Sequence, residues 1–518
     1  MNFRRPVFAC LGLLLLLSGL TACPLSAAPA ATLLARVHWL GLDQISADTN
    51  AAHFLGVWRL PQTTALVAQT LDKLSRRPGG GATNAASAAL RPLLDDLVSS
   101  ESCLELYAPP NSQLPTPNSQ FLLALRLPAD RARLWQNNLP VALPSATLSK
   151  SGDWTIVSLG ADTAGRLPDF AARLAHNVAS STHFWLETDL DPARCFSLSA
   201  GGAATATMAG EVESPSLSSI LHPPSALAGC HLHLTATGAA GQVLTHATLD
   251  LGRPLALTLP AWEIPTEFIH QPLTAFTAVR GLGPWLAWLS AWKELQFTNT
   301  PDQFFCWAQV QAGGPFVTYF AAPLTAADSN VSQLAARLVK QGNPWLTVNG
   351  QGHFEWQANV STLVWHDALI VDPFLKPVTV NHHDWLLSGL IPYYPGNPNP
   401  PPADIVHAVL GSTNLVYYQA EDTGSRIDDN FFILQLFRVV FHLPQLPPKA
   451  TATMWLKRIE PLLGDSSTSV IQTGPGQLAL TRQSTLGFTA LELHLLADWL
   501  ESPEFPQGLH TFRAPPDK

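Results

Sequence analysis

The chain reads as an α+β protein, with repeated strand-helix-strand units whose helices pack on mainly antiparallel sheets. Three observations carry that reading. Runs rich in aromatic and β-branched residues alternate polar with apolar side chains, as half-buried antiparallel strands do. Apolar stripes at helical spacing stand between those runs. One strand–helix–strand order occurs twice with shared letters, which predicts two similar halves.

The elements follow from the N-terminus. Arg4 and Arg5 precede an apolar run at 8–20, shorter than the roughly 20 residues that cross a bilayer as a helix. A basic start, a short apolar stretch and small residues beyond it describe an export signal. Two cleavage sites compete. Leu20-Thr21-Ala22-Cys23 has the form of a lipobox, which makes 1–22 the signal peptide and Cys23 the lipidated N-terminus. Pro24 follows the cysteine, which directs such a protein to the outer membrane, facing the periplasm or the exterior. The alternative is Ala28-Pro29-Ala30, a small-x-small site that releases a soluble periplasmic or secreted protein from Ala31.

Helical spacing then appears four times. Val67, Leu71 and Leu74 form a stripe after "PQTT" that ends before "RRPGGG". Leu90, Leu93, Leu94 and Leu97 form a second, with Pro92 expected in its first turn. Pro168 is expected to open a third, with Phe170, Leu174 and Val178 on one face. The fourth takes Asp328 or Ser329 as cap and Val331, Leu334 and Leu338 as stripe, and stops at Gly342 and Pro344. "CLELYA", "QFLLALRL", "DWTIVSL", "HFWLETDL", "CHLHLTA", "FFCWAQV", "FVTYFAA", "NLVYYQA" and "LGFTALELHLL" read as strands. "DWLLSGL" reads as a helix capped by Asp384. The shared letters are Ala171-Ala172-Arg173-Leu174 and Ala335-Ala336-Arg337-Leu338. They predict an N-terminal α+β domain at 31–262 and a similar C-terminal one at 263–518, divided within "PAWEIP". "APPNSQLPTPNSQ", "YYPGNPNPPPAD" and "LPQLPPK" read as extended connections, because proline cannot join a ladder.

Composition narrows the function classes. Of 518 residues, 47% are hydrophobic, which excludes a disordered chain. Only 13% are charged, against about 25% in ordinary domains, so the wet surface rests on neutral polar residues. A net charge of −9 without a basic stripe excludes nucleic acid as a partner. Of the six cysteines, Cys10 leaves with the signal and Cys23 is the lipid site. Cys103 and Cys306 read as buried thiols, whereas Cys195 and Cys230 flank a Gly/Ser/Pro-rich excursion that a disulfide can span.

No phosphate-binding loop, dinucleotide fingerprint, HExxH, paired CxxC or GxSxG elbow occurs. No cofactor is expected. Weaker groupings remain. His382, His383 and Asp384, with His366 and Asp367 nearby, carry metal-ligand chemistry, but adjacent strand residues face opposite ways. His231 and His233 share a strand face without a carboxylate close in sequence. Glu187, Asp189 and Asp191 line one face and read as a wet sheet surface. Gly464-Asp465-Ser466 resembles the opening motif of GDS-type esterases, yet the downstream His494 and Asp498 stand in the wrong order. Trp285, Trp288 and Trp292 repeat at i, i+3, i+7 and read as a buried helix face. Tyr393 and Tyr394 read as a packed corner.

The signal, "FTAVRGLGPWL" and "FVTYFAAPL" together resemble exported bacterial lipoprotein-like proteins whose function is not known. That resemblance implies a cell-envelope location and supplies no catalytic residue. The function expected from the whole chain is non-enzymatic binding or scaffolding. Its expected contacts are the membrane, through the N-terminal lipid, and a protein or glycan partner. A secreted hydrolase whose site assembles only in three dimensions is the alternative.

Overall fold

The computed structural model describes residues 32–76, 84–108, 120–160, 163–176, 182–190, 230–286 except 256, 301–310, 317–324, 331–392, 399–440 and 443–510 except 504, 507 and 508. The alternating runs become strands of one large antiparallel sheet. The first eight are β1 (Thr32–Trp39), β2 (Ser102–Ala108), β3 (Gln120–Arg126), β4 (Ala146–Ser151), β5 (Trp154–Leu159), β6 (Phe184–Leu190), β7 (Cys230–Ala239) and β8 (Gln242–Asp250). The next five are β9 (Leu273–Arg280), β10 (Gln303–Gln309), β11 (Thr318–Leu324), β12 (His353–Gln357) and β13 (Thr362–His366). The last are β14 (Phe374–Val380), β15 (His383–Gly389), β16 (Leu415–Asp422), β17 (Asp465–Gly474) and β18 (Gln477–Ser484).

From edge to edge the order is β4-β5-β3-β2-β1-β6-β7-β8-β18-β17-β16-β9-β10-β11-β15-β14-β13-β12, with every neighbour antiparallel. Residues 31–262 and 263–518 therefore share one sheet, and they meet where β8 pairs with β18 around His246 and Thr481.

The longer helices are α1 (Pro61–Ser75), α2 (Asn84–Ser99), α3 (Ala129–Ala142), α4 (Thr163–His176), α5 (Val331–Val348), α6 (Ala403–Leu410), α7 (Thr423–Val440), α8 (Thr451–Ile459) and α9 (Ala490–Leu500). On one sheet face Leu104, Leu106, Leu123 and Leu125 meet Leu71 of α1 and Leu94 of α2, and Trp455 and Leu493 from the C-terminal helices join them. Two polar contacts fix that join. The Trp455 indole donates to Thr63 at 3.1 Å, and Lys73 donates to the Leu500 carbonyl at 2.5 Å. On the opposite face α4 sets Phe170 and Leu174 on Cys103, Leu122 and Ile156. Further along that face, Phe305, Trp307, Tyr319 and Trp385 form a third cluster with Val409 of α6.

The structure corrects several local expectations. Pro92 and Pro168 lie inside α2 and α4, which begin at Asn84 and Thr163. α5 runs through Gly342 and Pro344 because tertiary contacts outweigh the breakers. The Phe354 ring lies 2.6 Å from where a Gly342 Cβ would stand, and the Asn343 side chain bonds both backbone groups of Phe354. "DWLLSGL" is strand β15, not a helix. Asn381 and His382 take φ of 51° and 65°, forming the two-residue turn that twists a hairpin correctly, and Asp384 accepts from Thr379 instead of capping. The end of "LGFTALELHLL" is helix α9, because Thr489 and Glu492 close a reciprocal capping box. The two "AARL" pieces sit in α4 and α5. α4 follows β5, whose neighbours are β3 and β4, whereas α5 follows β11, which lies between β10 and β15. The shared letters thus mark different places in the sheet.

Candidate functional site

The most chemically loaded surface is a groove on the sheet face that α4 partly covers. Alternation along three neighbouring strands builds its floor. In β1 "RVHW" turns Val37 and Trp39 into the large core and leaves Arg36 and His38 on the other side. In β2 Cys103, Glu105 and Tyr107 share that side, with Glu101 just before the strand, and β6 adds Trp185 and Glu187. The strand registers set Glu105, Arg36 and Glu187 in one row, and Cys103, His38 and Trp185 in the next. Arg173 comes down from α4. A cavity of about 530 Å³ lies among these residues, a size that suits a small ligand.

Glu105 is the hub. Its carboxylate is buried and accepts four hydrogen bonds: Arg36 Nε at 3.1 Å, Arg173 Nε at 2.9 Å, Arg173 Nη2 at 2.7 Å and the Tyr107 hydroxyl at 2.5 Å. Burial and that bond to Glu105 push the Tyr107 phenol up to about 12. Arg36 also reaches Glu187 at 3.5 Å, and Glu187 meets His231 at the same distance. The Trp185 indole donates to His233 Nε2 at 2.5 Å, which fixes the ring at the groove's side.

A second cluster continues along β1 and β2. His38 Nε2 lies 3.1 Å from Glu101, which also accepts from Gln44 at 3.0 Å and Arg126 at 2.5 Å. Burial would raise the Glu101 carboxyl, but the bonds from His38 and Gln44 and the Arg126 charge outweigh it and hold the group below its ordinary range. Burial pushes the Cys103 thiol far up, and the nearby Glu101 charge adds to this, so the sulfur stays protonated at neutral pH.

The groupings singled out in the sequence fare differently. His231 and His233 do share a face; the carboxylate partner of His231 is Glu187 from the adjacent strand rather than a sequence neighbour, while His233 accepts from the Trp185 indole. Asp189 stands opposite His231 in register, and Asp191 lies outside the described residues. His382 lies in the turn, whereas His383 opens β15. His383 lies 3.4 Å from Glu263 and His366 3.0 Å from Glu355, both at the surface. Among the described residues no three His, Cys, Asp or Glu side chains converge as a metal site. Ser466 is buried in β17, while His494 donates to the Ile427 carbonyl at 2.7 Å and Asp498 pairs with Arg438 at 3.0 Å. His494 and Asp498 therefore serve separate structural bonds, and Ser466 stands on a different element. Cys23, Cys195, Trp288, Trp292, Tyr393 and Tyr394 lie outside the described residues, and of the tryptophan helix only Gly283–Leu286 is described.

Sequence reasoning passed over Arg36, His38, Glu101, Glu105 and Arg173. Their signal was present in "ARVHW" and "ESCLELY", where charged residues alternate with apolar ones on strands otherwise fit for a core. No protein family matches the chain, and no curated protein or solved structure is similar to it. Among the described residues no helix is long and apolar enough to cross a membrane.

Proposed function

We propose that the chain is an exported cell-envelope protein, anchored by a lipid on Cys23, that binds a protein or glycan partner without transforming it. The export part rests on the basic start, the apolar run at 8–20 and Leu20-Thr21-Ala22-Cys23. The binding part rests on one observation. The groove's central carboxylate spends all its acceptor capacity on its own arginines and tyrosine, and its thiol is held protonated. Such a set orients donors and lacks an activated nucleophile. A hydrolase is the second reading, favoured by the His38–Glu101 pair beside Cys103, which is an imidazole oriented by a carboxylate.

The same proposal includes an internal duplication of the halves 31–262 and 263–518. Strand order supports it: β3-β2-β1-β6-β7-β8 corresponds to β11-β10-β9-β16-β17-β18. β5 flanks β3 and leads into α4, as β15 flanks β11 and leads towards α6. Asp153-Trp154 and Asp384-Trp385 fall at matching registers, and both tryptophans are buried. Gly241-Gln242 at the end of one two-residue hairpin match Gly476-Gln477 at the end of the other. Each β1-type strand is followed by a glycine at positive φ, Gly41 and Gly281.

Intact-mass analysis of membrane-extracted protein tests the anchor. A diacylated or triacylated N-terminus at Cys23 is expected, and an unmodified N-terminus at Ala31 would refute it. Thiol alkylation tests the hydrolase reading, because a catalytic Cys103 must react in the folded protein.

A further inference from the structure

The duplicated frame offers an internal control on the groove. In the first half the row Glu105–Arg36–Glu187 crosses β2, β1 and β6. In the second half the corresponding strands carry Trp307–Phe276–Ala420. The adjacent row Cys103–His38–Trp185 corresponds to Phe305–Ala278–Tyr418. Phe276, Ala278, Phe305 and Trp307 are all buried in an aromatic core. The fold is thus satisfied by apolar packing at these positions, and the first half keeps charge there instead.

Stability does not explain the difference. A buried ion pair is often no better than well-packed apolar residues of similar volume, because desolvation offsets the attraction. What the charges supply is orientation. Glu105 fixes Arg36 through Nε and Arg173 through Nε and Nη2. Both guanidiniums line the cavity, with side chains 33% and 40% exposed, so their remaining N–H groups are held ready and still reach solvent. Two pre-oriented guanidiniums match the planar or tetrahedral oxygens of a carboxylate or phosphate. Trp185 borders the same space with its indole nitrogen tied to His233, leaving a fixed apolar ring edge or face for the ligand body.

We propose that this groove binds a small acidic ligand, a carboxylate or phosphate carried on a sugar-sized body, with Arg36 and Arg173 on the anion and Trp185 against the body. The proposal rests on the binding reading and names its ligand class.

Ligand-observed NMR titration of the purified exported chain tests it, with glucuronate and glucose 6-phosphate as acidic probes and glucose as the neutral reference. At least one acidic probe should bind at least tenfold more tightly than glucose. Arg173→Gln should lower that affinity at least tenfold. Arg36→Gln combined with Glu105→Gln should do the same, since it removes the guanidinium together with its carboxylate partner and keeps a hydrogen-bonded pair. Melting temperature checks that each variant folds, and Arg59→Gln, an exposed charge elsewhere, should bind as the parent does. Failure of every probe to bind would overturn the proposal. So would equal binding of glucose, or acidic-probe affinity untouched in both folded arginine variants. Release of inorganic phosphate from glucose 6-phosphate, lost in Arg173→Gln, would refute binding without transformation yet uphold the acidic-ligand assignment.

Discussion

Lowering the pH should weaken this protein through His494, and the size of the effect can be worked out. The imidazole is buried in α9, where desolvation, and to a smaller degree the Arg438 charge, oppose its protonation. Its pKa falls from 6.5 to about 4, although the bond to the Ile427 carbonyl pulls the other way. Between those values the unfolded chain binds a proton that the folded chain refuses, so stability falls as pH falls through this window. Full linkage across the two pKa values gives a loss of about 2.5 kcal/mol between pH 7.5 and 4.5. Other groups titrate in the same range, so a variant must isolate the term. His494→Gln keeps a donor for the Ile427 carbonyl and cannot titrate. Urea unfolding of both proteins at several pH values should show the parent losing about 2.5 kcal/mol more than the variant over that interval. Parallel pH profiles, or a steeper one for the variant, would refute the burial argument.

Other expectations follow from neighbouring geometry. Burial raises the Glu421 carboxyl despite its bond from the Ala490 amide, so its cost appears as pH rises above the ordinary carboxylate range. Glu421→Gln should therefore gain stability relative to the parent at pH 8 compared with pH 4.5, read by urea melts. Thr489→Ala removes one half of the capping box and should cost about 1 kcal/mol in the same assay. Gly352→Ala puts a Cβ 1.9 Å from the His366 carbonyl oxygen at φ +77°, so a marked fall in melting temperature is expected. Cys103 should resist iodoacetamide in the folded protein and react once urea unfolds it.

Much of the fold was legible because strand alternation is a local property. "CHLHLTA" forms a strand with alternating burial as its pattern requires, and the apolar run "QFLLALRL" forms one buried on both faces. The failures are also physical. "DWLLSGL" and "TALELHLL" contain leucines that fit either period, and the deciding features were a turn at Asn381-His382 and a box closed by Glu492. Breakers misled at Pro92, Pro168, Gly342 and Pro344 because packing outweighs a single lost backbone bond. The groove was the least legible part. Arg36, Glu105 and Glu187 are far apart in sequence and are brought together by sheet register, while the packing of α4 sets Arg173 over them.

The join between β8 and β18 sets a timetable for synthesis. Asp250 and its partner Gln477 are separated by 227 residues. At about 5–20 residues per second, a ribosome needs roughly 10–45 s to make that stretch. For that interval β8 has no β18 to pair with, and a bare strand edge is a template for pairing between chains. The composition of β8 answers that hazard. Gln242, His246, Thr248 and Asp250 share one face with a single apolar residue, Leu244, and a strand with four polar side chains on one face is a poorer partner for a neighbouring chain while it waits.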